Sequence, residues 1–212
     1  MRLVLVRHGE SLAGFHGVIA GRTGCTGLTP HGRRQAEALR AHLEGSGRIR
    51  ADVLISSELP RAVETAQIIA PGLGLAISAR DCDLCEVHTG EADGLDWTEY
   101  TARYGSFDMA TEPDRVFAPE GESWNSFHDR VRRMLDRMGA EHPDRTVVAV
   151  CHAGVIQASV RVLLGMPHPG TGAHLRPTNT GLTEWEFDPA HERWTLHSFN
   201  EASHLLGLAP VG

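Results

Sequence analysis

The stretch Leu3-Val4-Leu5-Val6-Arg7-His8-Gly9-Glu10 predicts the fold class and points to the functional edge of the molecule. Its first four residues are all apolar, without alternation, which is typical of a strand buried on both faces of a sheet. Residues 147–150 repeat this pattern and run into Cys151-His152-Ala153-Gly154. Each strand therefore delivers a histidine at its carboxyl end, where open α/β sheets bind their ligands.

Between and around these two units, short apolar strands alternate with amphipathic helices. Cap and breaker residues predict helices from Thr29-Pro30 to Gly45, from Leu59-Pro60 to Pro71-Gly72, after Ser123, and from Gly154 to Gly165, and strands at residues 53–55, 182–187 and 194–199. Residues 77–120 lack a clear period and are expected to form a loop with a short helix. The alternation predicts an α/β three-layer sandwich, with helices flanking a mostly parallel central sheet. We expect a single domain over residues 1–212 with a small cap insertion.

The composition of the chain excludes several classes of chemistry. The 212 residues carry a formal charge of −7, and all 20 lysine-plus-arginine positions are arginine. The absence of lysine excludes a Schiff-base or pyridoxal-phosphate enzyme and a lysine-dependent nucleotide-binding P-loop. The negative balance argues against nucleic acid as a partner, and no segment predicts a membrane span or a targeting signal. Because the four cysteines have no disulfide-rich spacing, we expect a cytoplasmic protein.

A third strand–helix unit adds positive charge at the same edge of the sheet. The strand at residues 53–55 is followed by Ser56-Ser57-Glu58-Leu59-Pro60-Arg61, which places Arg61 in the first turn of a helix. Arg61 and Arg7 would form a clamp for a tetrahedral oxyanion, with about 1.5–3 kcal/mol from each charge-assisted hydrogen bond. Taken alone, Arg61 would also fit an ordinary surface arginine. The positions of the two histidines after apolar strands would also fit a coincidence among the 13 histidines of the chain.

Taken in order, the motifs resemble those of the histidine phosphatase superfamily, which includes phosphoglycerate mutases and many phosphatases. The resemblance rests on Arg7-His8-Gly9-Glu10, Leu28-Thr29-Pro30-His31-Gly32, Ser56-Ser57 with Arg61-Ala62 and Glu64-Thr65, Gly121-Glu122-Ser123, and Cys151-His152-Ala153-Gly154. These matches span about residues 1–160. They imply the superfamily's fold and an enzyme that transfers phosphoryl groups.

The resemblance also implies a role for each residue at the sheet edge. His8 would be the nucleophile, whose imidazole attacks phosphorus and forms a phosphohistidine. Arg7, Arg61 and His152 would bind the phosphoryl oxygens and neutralise charge during the transfer. Since these groups supply the positive field, neither a metal nor another cofactor is expected. Helix N-termini after His8 and His152 would add backbone donors.

A leaving alkoxide needs a proton, and the superfamily places a carboxylic acid in a Leu-x-Glu segment followed shortly by a glycine. Leu84-Cys85-Glu86 with Gly90 is similar. Glu86 is therefore the predicted general acid and, later, the base for the hydrolytic water. Asp81, Asp83 and Glu91 are the alternatives.

Other polar and aromatic residues are assigned no catalytic role. Cys82 and Cys85 have the spacing of half a zinc site, but the sequence has no second pair. Cys151 is expected to be a buried, inert thiol. Solvated helix faces are expected to hold several arginines, namely Arg33, Arg34, Arg130, Arg132, Arg133 and Arg137. The aromatic residues between Trp97 and Trp124 either contact the leaving group or form a small separate core.

Three functions are weighed. The leading hypothesis is a metal-independent phosphomonoesterase that hydrolyses a small phosphorylated substrate through a phosphohistidine on His8. A phosphoglycerate mutase is the alternative enzyme. Mutases resemble this core but usually carry a longer, basic insertion between the acid and the second histidine. Here the segment after Glu86 is short and has only Arg103 and Arg115 as basic residues before Ser123, so a mutase is disfavoured. A non-catalytic phosphate-binding regulatory module would fit a chain that had lost its nucleophile or clamp, and both are present. The motifs select no particular substrate and no oligomeric state.

Overall fold

A central mixed sheet organises the protein in a computed structural model that describes residues 1–108, 111–166 and 174–208. In these ranges the strands are β1 (Arg2–Arg7), β2 (Val53–Ser56), β3 (Ile77–Arg80), β4 (Thr146–Cys151), β5 (Leu182–Asp188) and β6 (Arg193–Glu201). Their order across the sheet is β3-β2-β4-β1-β5-β6. The first four strands in this order pair in parallel, whereas β5 and β6 are antiparallel to their neighbours. The predicted mostly parallel sheet is confirmed.

Helices cover both faces of this sheet. They are α1 (Leu12–His16), α2 (Pro30–Ser46), α3 (Pro60–Leu73), α4 (Trp97–Tyr104), α5 (Trp124–Glu141) and α6 (Ala153–Leu164), with 3₁₀ turns at Cys82–Leu84, Gly90–Ala92 and Ser203–Leu205. One apolar core lies between the sheet and α2 with α3, and a second between the sheet and α5 with α6. This is the predicted three-layer arrangement. No helix in the described ranges is long and apolar enough to cross a bilayer.

The strand register brings three loops to one edge of the sheet. In the parallel pair β1–β4, Arg7 lies opposite Cys151, so the chain leaves both strands side by side. The His8 backbone N–H donates to the Cys151 carbonyl at 3.0 Å, which extends the pairing by one residue. On the other side of β4, Ser56 at the end of β2 pairs with Val150. His8, His152 and the start of α3 therefore converge at this edge, as the sequence predicts.

The structure differs from the sequence prediction in the middle of the chain. Residues 77–120 were expected to be irregular, but Ile77–Arg80 forms the edge strand β3, joined to β2 with a shift in register. Three of its four side chains are exposed, so the strand lacks the apolar run that marks buried strands. The α3 helix also passes Pro71 and ends at Gly74, whose φ of 66° is left-handed.

The cap insertion is built around α4 and a small core of its own. Tyr100 and Phe117 stack with ring centroids 4.7 Å apart, and both pack with Ile19 and Ala92. The Tyr100 hydroxyl donates to the Phe117 carbonyl at 2.7 Å. The aromatic residues of the cap therefore form a separate core, one of the two roles foreseen for them.

Candidate active site

His8 is held by its backbone and by its ring at the carboxyl end of β1. The side chain is buried, and Nδ1 lies 2.6 Å from the carbonyl oxygen of Gly9. Because a carbonyl only accepts, Nδ1 carries the proton and Nε2 keeps its lone pair. Arg61 Nε donates to that Nε2 at 3.1 Å. The tautomer thus presents Nε2 as the nucleophilic atom.

His152 faces His8 across the site, with ring centroids 5.0 Å apart. It is the N-cap residue of α6 and is fully buried. Its Nδ1 accepts from Arg61 Nε at 3.2 Å, which leaves the proton on Nε2 to be donated to Ser57 Oγ at 2.8 Å. Ser57 in turn donates to Cys85 Sγ at 3.3 Å. Ser57 therefore fixes the orientation of the second histidine.

Two arginines bring fixed positive charge to the histidine pair. Arg61, in the first turn of α3, is buried and is anchored by its Nη1 on the Ala20 carbonyl at 3.0 Å. Arg7 is anchored by its Nη1 on the Pro177 carbonyl at 2.6 Å. Its Nε–H is buried and has no acceptor within the protein. The structure brings together all four residues that the sequence placed around a phosphoryl group, and Arg7 retains an unused donor.

The electrostatics of the site keep both histidines neutral. Burial, followed by the positive charges of Arg61 and Arg7, holds the pKa of His8 well below its ordinary value. Burial and then Arg61 hold the pKa of His152 well below its ordinary value as well. A neutral imidazole has the lone pair that nucleophilic attack requires.

Glu86 is the acidic residue of the predicted set that lines the cleft next to His8. Its Oε2 accepts the backbone N–H of Gly154 in the first turn of α6 at 3.1 Å. The alternatives are engaged elsewhere: Arg137 donates to both Asp81 and Asp83 at 2.7 Å, and Glu91 accepts from the Tyr104 hydroxyl. The geometry therefore favours Glu86 over its neighbours as the proton donor.

These groups lie in a cleft of about 470 Å³. Arg7, His8, Arg61 and Glu86 line one part of it. Trp97, Phe117 and Trp124, from the cap and the start of α5, also line the cleft. Contact of these aromatic side chains with the leaving group, the second role foreseen for them, stays a prediction. A cleft with an oxyanion-binding part and an aromatic part suits an organic phosphate.

The profile of the histidine phosphatase superfamily (branch 1) matches residues 3–202. The chain belongs to this superfamily. This histidine phosphatase is 33% identical over 219 residues to the glucosyl-3-phosphoglycerate phosphatase of Mycobacterium tuberculosis, covering 96% of both chains. It is 28% identical over 207 residues to the metal-independent phosphoserine phosphatase of Arabidopsis thaliana, covering 96% of this chain and 82% of the relative.

A solved structure gives the same assignment. The phosphoserine phosphatase of Entamoeba histolytica, crystallised with 3-phosphoglyceric acid, superimposes with a TM-score of 0.79 at 29% identity, covering 96% of this chain and 98% of the other. The family match, the fold and these relatives identify the chain as a phosphoric monoester hydrolase.

One sequence expectation about this histidine phosphatase is wrong. Arg130 was expected on a solvated helix face, but it is buried, and Glu122 accepts from both its Nε and its Nη2 at 2.7 Å. Its Nη groups also donate to the carbonyls of Cys82, Asp83, Cys85 and Glu86. Arg130 therefore clamps the loop that carries the candidate acid. The signal was its place between Phe127 and Met134 on the apolar stripe of α5.

Sequence reasoning also missed residues that support the loop after β1. Thr65 Oγ1 accepts the Gly9 N–H at 3.0 Å and donates to the Arg61 carbonyl at 2.7 Å, which ties the nucleophile loop to α3. Asn179 Nδ2 donates to the His8 carbonyl at 2.9 Å. Thr65 belongs to the motif that also contains Arg61, whereas no pattern in the sequence around Asn179 predicts its role.

The helix N-termini contribute less than expected. No helix directly follows His8, because α1 begins at Leu12, behind its N-cap Ser11. At α6, the Gly154 N–H is already bound to Glu86. The main donors around the histidine pair are therefore side chains.

The cysteines do not form a metal-binding cluster. Cys82 Sγ lies 3.5 Å from His88 Nε2, but within the described ranges no three His, Cys, Asp or Glu side chains are grouped so that they could hold a metal ion. Cys151 is fully buried, as predicted, and burial raises the pKa of its thiol.

Proposed function

We propose that this histidine phosphatase is a metal-independent phosphomonoesterase that hydrolyses small phosphorylated substrates through a phosphohistidine on Nε2 of His8. The observation that carries the proposal is the lone pair of this nitrogen, which meets Arg61 and faces His152 beside the unused N–H of Arg7. This arrangement is a nucleophile with two guanidinium groups close enough to act on it electrostatically and to donate to an anion. The named activities of the phosphatase relatives support it.

In the first half of the reaction, Arg7 and Arg61 donate to the non-bridging oxygens of the phosphate ester, and Arg61 Nε leaves His8 Nε2 to do so. Because the Nε2–H of His152 is donated to Ser57, His152 binds an oxygen through Nδ1, which takes up the proton of the phosphate monoanion and returns it to the product phosphate. Nε2 of His8 attacks phosphorus, a P–N bond forms, and the bond between phosphorus and the ester oxygen breaks. The Gly9 carbonyl, which accepts from Nδ1, stabilises the positive charge that develops on the ring. The guanidinium groups stabilise the charge on the equatorial oxygens in the transition state. Glu86 gives its proton to the departing alkoxide, which leaves as an alcohol.

In the second half, water takes the place of the alcohol. Glu86, now a carboxylate, accepts a proton from this water as its oxygen attacks phosphorus. The P–N bond breaks, inorganic phosphate leaves, and His8 and Glu86 return to their starting protonation states. The reaction is thus balanced by the protein's own groups, with Glu86 acting first as acid and then as base.

The cap supports hydrolysis over intramolecular transfer. Of its two arginines, Arg115 donates to Glu112 and to the Tyr104 carbonyl, and Arg103 lies exposed on α4. Neither lines the cleft. A mutase must retain an acidic phosphoglycerate while it turns over, and this cap offers no cation for that purpose in its described part.

The proposal is tested by trapping the intermediate. A radiolabelled monoester is mixed with the enzyme, the reaction is quenched in base, and the protein should carry an acid-labile label on His8. His8→Ala should lower kcat by at least about 10³-fold, because the nucleophile is lost. Chelator should not change the rate. Wild-type turnover by His8→Ala would refute the mechanism.

A second measurement tests Glu86. Glu86→Gln should lower kcat by about 10²- to 10⁴-fold for alkyl phosphates, whose poor leaving groups need a proton. The loss should be much smaller for 4-nitrophenyl phosphate, whose leaving phenolate needs none. Equal losses for both substrates would place the acid elsewhere.

We also propose a cytoplasmic enzyme whose partners are small phosphorylated substrates rather than nucleic acids. Four free cysteines support a reducing compartment, and the charge of −7 disfavours nucleic acid. Cell fractionation with an antibody against the chain tests the location.

A further inference from the structure

The aromatic part of the cleft has no role in the steps above. Trp97, Phe117 and Trp124 line it. Phe117 and Trp124 are largely buried, whereas Trp97 is 54% exposed and lies at the mouth. The charged side chains among the described lining residues are Arg7, Arg61 and Glu86, besides the titratable His8. The arginines and His8 serve the phosphoryl group, and Glu86 serves the ester oxygen. Beyond the ester oxygen, the described side chains that the leaving group can meet in this cleft are therefore uncharged, and the largest of them are aromatic.

Two polar atoms on this wall are buried without a partner. The indole N–H of Trp124 and the hydroxyl of Thr89 have no hydrogen-bond partner in the protein, and each residue is only 8% exposed. Both residues line the cleft. Buried polar groups in native proteins are normally satisfied, and an orphaned one is costly. Both atoms are shielded from solvent in the unliganded protein, so an acceptor on the leaving group reaches either donor only when that side chain shifts as the substrate binds.

We propose that the leaving-group side of the cleft selects an uncharged, largely apolar alcohol that carries an oxygen acceptor for Trp124 and Thr89. This inference rests on the proposed phosphatase function and names its substrate class. It separates this chain from relatives named for phosphoserine and glucosyl-3-phosphoglycerate, whose substrates bear a carboxylate.

The hollow that adjoins the cleft next to Glu86 also lacks an unpaired cation for a carboxylate on the leaving group. The adjoining hollow is lined by Arg22, but this arginine is paired with Glu58. Asp93 and Glu120 line the same hollow and give it acidic character. Arg176 is exposed and does not line the cleft, although its charge helps to lower the pKa of Arg7. Among the described residues, the acidic side chains of the adjoining hollow therefore disfavour an anionic leaving group on that side.

The first experiment compares four primary alkyl phosphates with purified wild-type enzyme: 2-phenylethyl phosphate, glycerol 3-phosphate, 3-phosphoglycerate and O-phosphoserine. All four release a primary alcohol, so the comparison mainly reports binding of the leaving group. We expect kcat/KM for 2-phenylethyl phosphate to exceed that of 3-phosphoglycerate and phosphoserine by at least about tenfold, mainly through a lower KM, because apolar contacts act before the transition state as well as in it.

The second experiment tests the two unpartnered donors. The isosteric pair 2-phenoxyethyl phosphate and 3-phenylpropyl phosphate differs by one ether oxygen in place of a methylene. Trp124→Phe and Thr89→Val keep the bulk and remove one donor each. Each should lower the ratio of kcat/KM, ether over methylene, by about three- to tenfold, the effect of one neutral hydrogen bond. The control Trp194→Phe, which alters a tryptophan packed on Phe187 of the β5–β6 pair, should leave the ratio unchanged.

The outcomes separate the two proposals. Equal or better hydrolysis of 3-phosphoglycerate or phosphoserine overturns the subsite, and the phosphatase function stands. If Arg22→Gln or Arg176→Gln then lowered kcat/KM for 3-phosphoglycerate or phosphoserine, the substituted arginine would be the cation that binds the substrate carboxylate. If neither Trp124→Phe nor Thr89→Val changes the ratio of kcat/KM for the ether ester over the methylene ester, the proposed role of the two donors is overturned. Hydrolysis of none of the esters overturns both the function and the subsite.

Discussion

At the scale of single residues, Gly154 decides where the candidate acid lies. A Cβ on this residue would overlap the Glu86 carboxylate, so only glycine lets that carboxylate reach the first turn of α6. Gly154→Ala should lower kcat for alkyl phosphates by about 10²-fold, because a displacement of about 1 Å has this effect on catalysis. Steady-state kinetics with the alkyl and 4-nitrophenyl esters measure it.

The matched control for this substitution is Gly45→Ala in α2. A Cβ there meets nothing within 4 Å, and alanine favours helix, so activity should be unchanged and stability unchanged or slightly higher. If Gly154→Ala retained full activity on alkyl phosphates, the contact between Gly154 and Glu86 would not matter for catalysis.

The sequence predicted the charged residues that the fold brings together at the candidate site, but not the residues that orient them. Arg7, His8 and His152 stand directly after apolar strands, so strand prediction alone places them at one edge. Asn179 reaches the His8 carbonyl from a loop 171 residues further along the chain. No local pattern encodes such a contact, because it depends on the path of the chain between β4 and β5.

At the scale of structural elements, α5 holds the acid loop through Arg130. One guanidinium satisfies four backbone carbonyls and a largely buried carboxylate, Glu122, so its removal leaves several buried acceptors without donors. Arg130→Gln should lower the free energy of unfolding by about 3–5 kcal/mol, the usual cost of breaking a buried ion pair. Urea denaturation measures this loss. The kcat for alkyl phosphates should fall as well, since Glu86 lies at the end of the same loop.

Arg133→Gln on the same helix is the control. Arg133 is exposed, so both stability and kcat should stay within experimental error of the wild type. Equal stability of Arg130→Gln and Arg133→Gln would show that the loop carrying Glu86 does not depend on the hydrogen bonds of Arg130.

Element prediction succeeded where the apolar period was strong and failed where it was weak. The strands β1 and β4 are buried runs, α5 begins behind the N-cap Ser123, and α6 ends at the left-handed Gly165, so their positions follow from the sequence. The edge strand β3 has mostly exposed side chains, and its hydrogen bonds to β2 come from the tertiary fold. Arg130 was misplaced for a related reason: a charged residue on an apolar stripe is normally assigned to solvent unless its partners are known.

At the scale of the whole molecule, the net charge of −7 coexists with a site dominated by arginine and histidine. The fold gathers these groups by placing three loops at one sheet edge, where burial strengthens their mutual effects. The same burial has a consequence for stability. His8 and His152 are neutral in the folded protein well below the pH at which they take up protons in the unfolded chain.

This difference predicts how stability depends on pH. Below about pH 6.5, the unfolded histidines bind protons that the folded ones do not, so acid favours unfolding. The free energy of unfolding should therefore fall as pH decreases from about 6.5 to 5, by at most about 1.4 kcal/mol per pH unit for each histidine whose pKa is lowered on folding. Burial lowers the pKa of His204 to about 4 and also lowers that of His88, so these two residues add to the slope. Carboxylates contribute little in this window, because their unfolded pKa values lie lower. Urea denaturation at several pH values measures the slope.

Two variants assign this slope to the site. His152→Asn removes one buried histidine and should reduce the slope by up to about 1.4 kcal/mol per pH unit, whatever its effect on the stability at neutral pH. His16→Asn removes an exposed histidine of α1 and should leave the slope as it is in the wild type. A slope that is the same in His152→Asn and wild type would mean that His152 is protonated in the folded protein at this pH, and the neutral imidazole pair inferred for the site would be wrong.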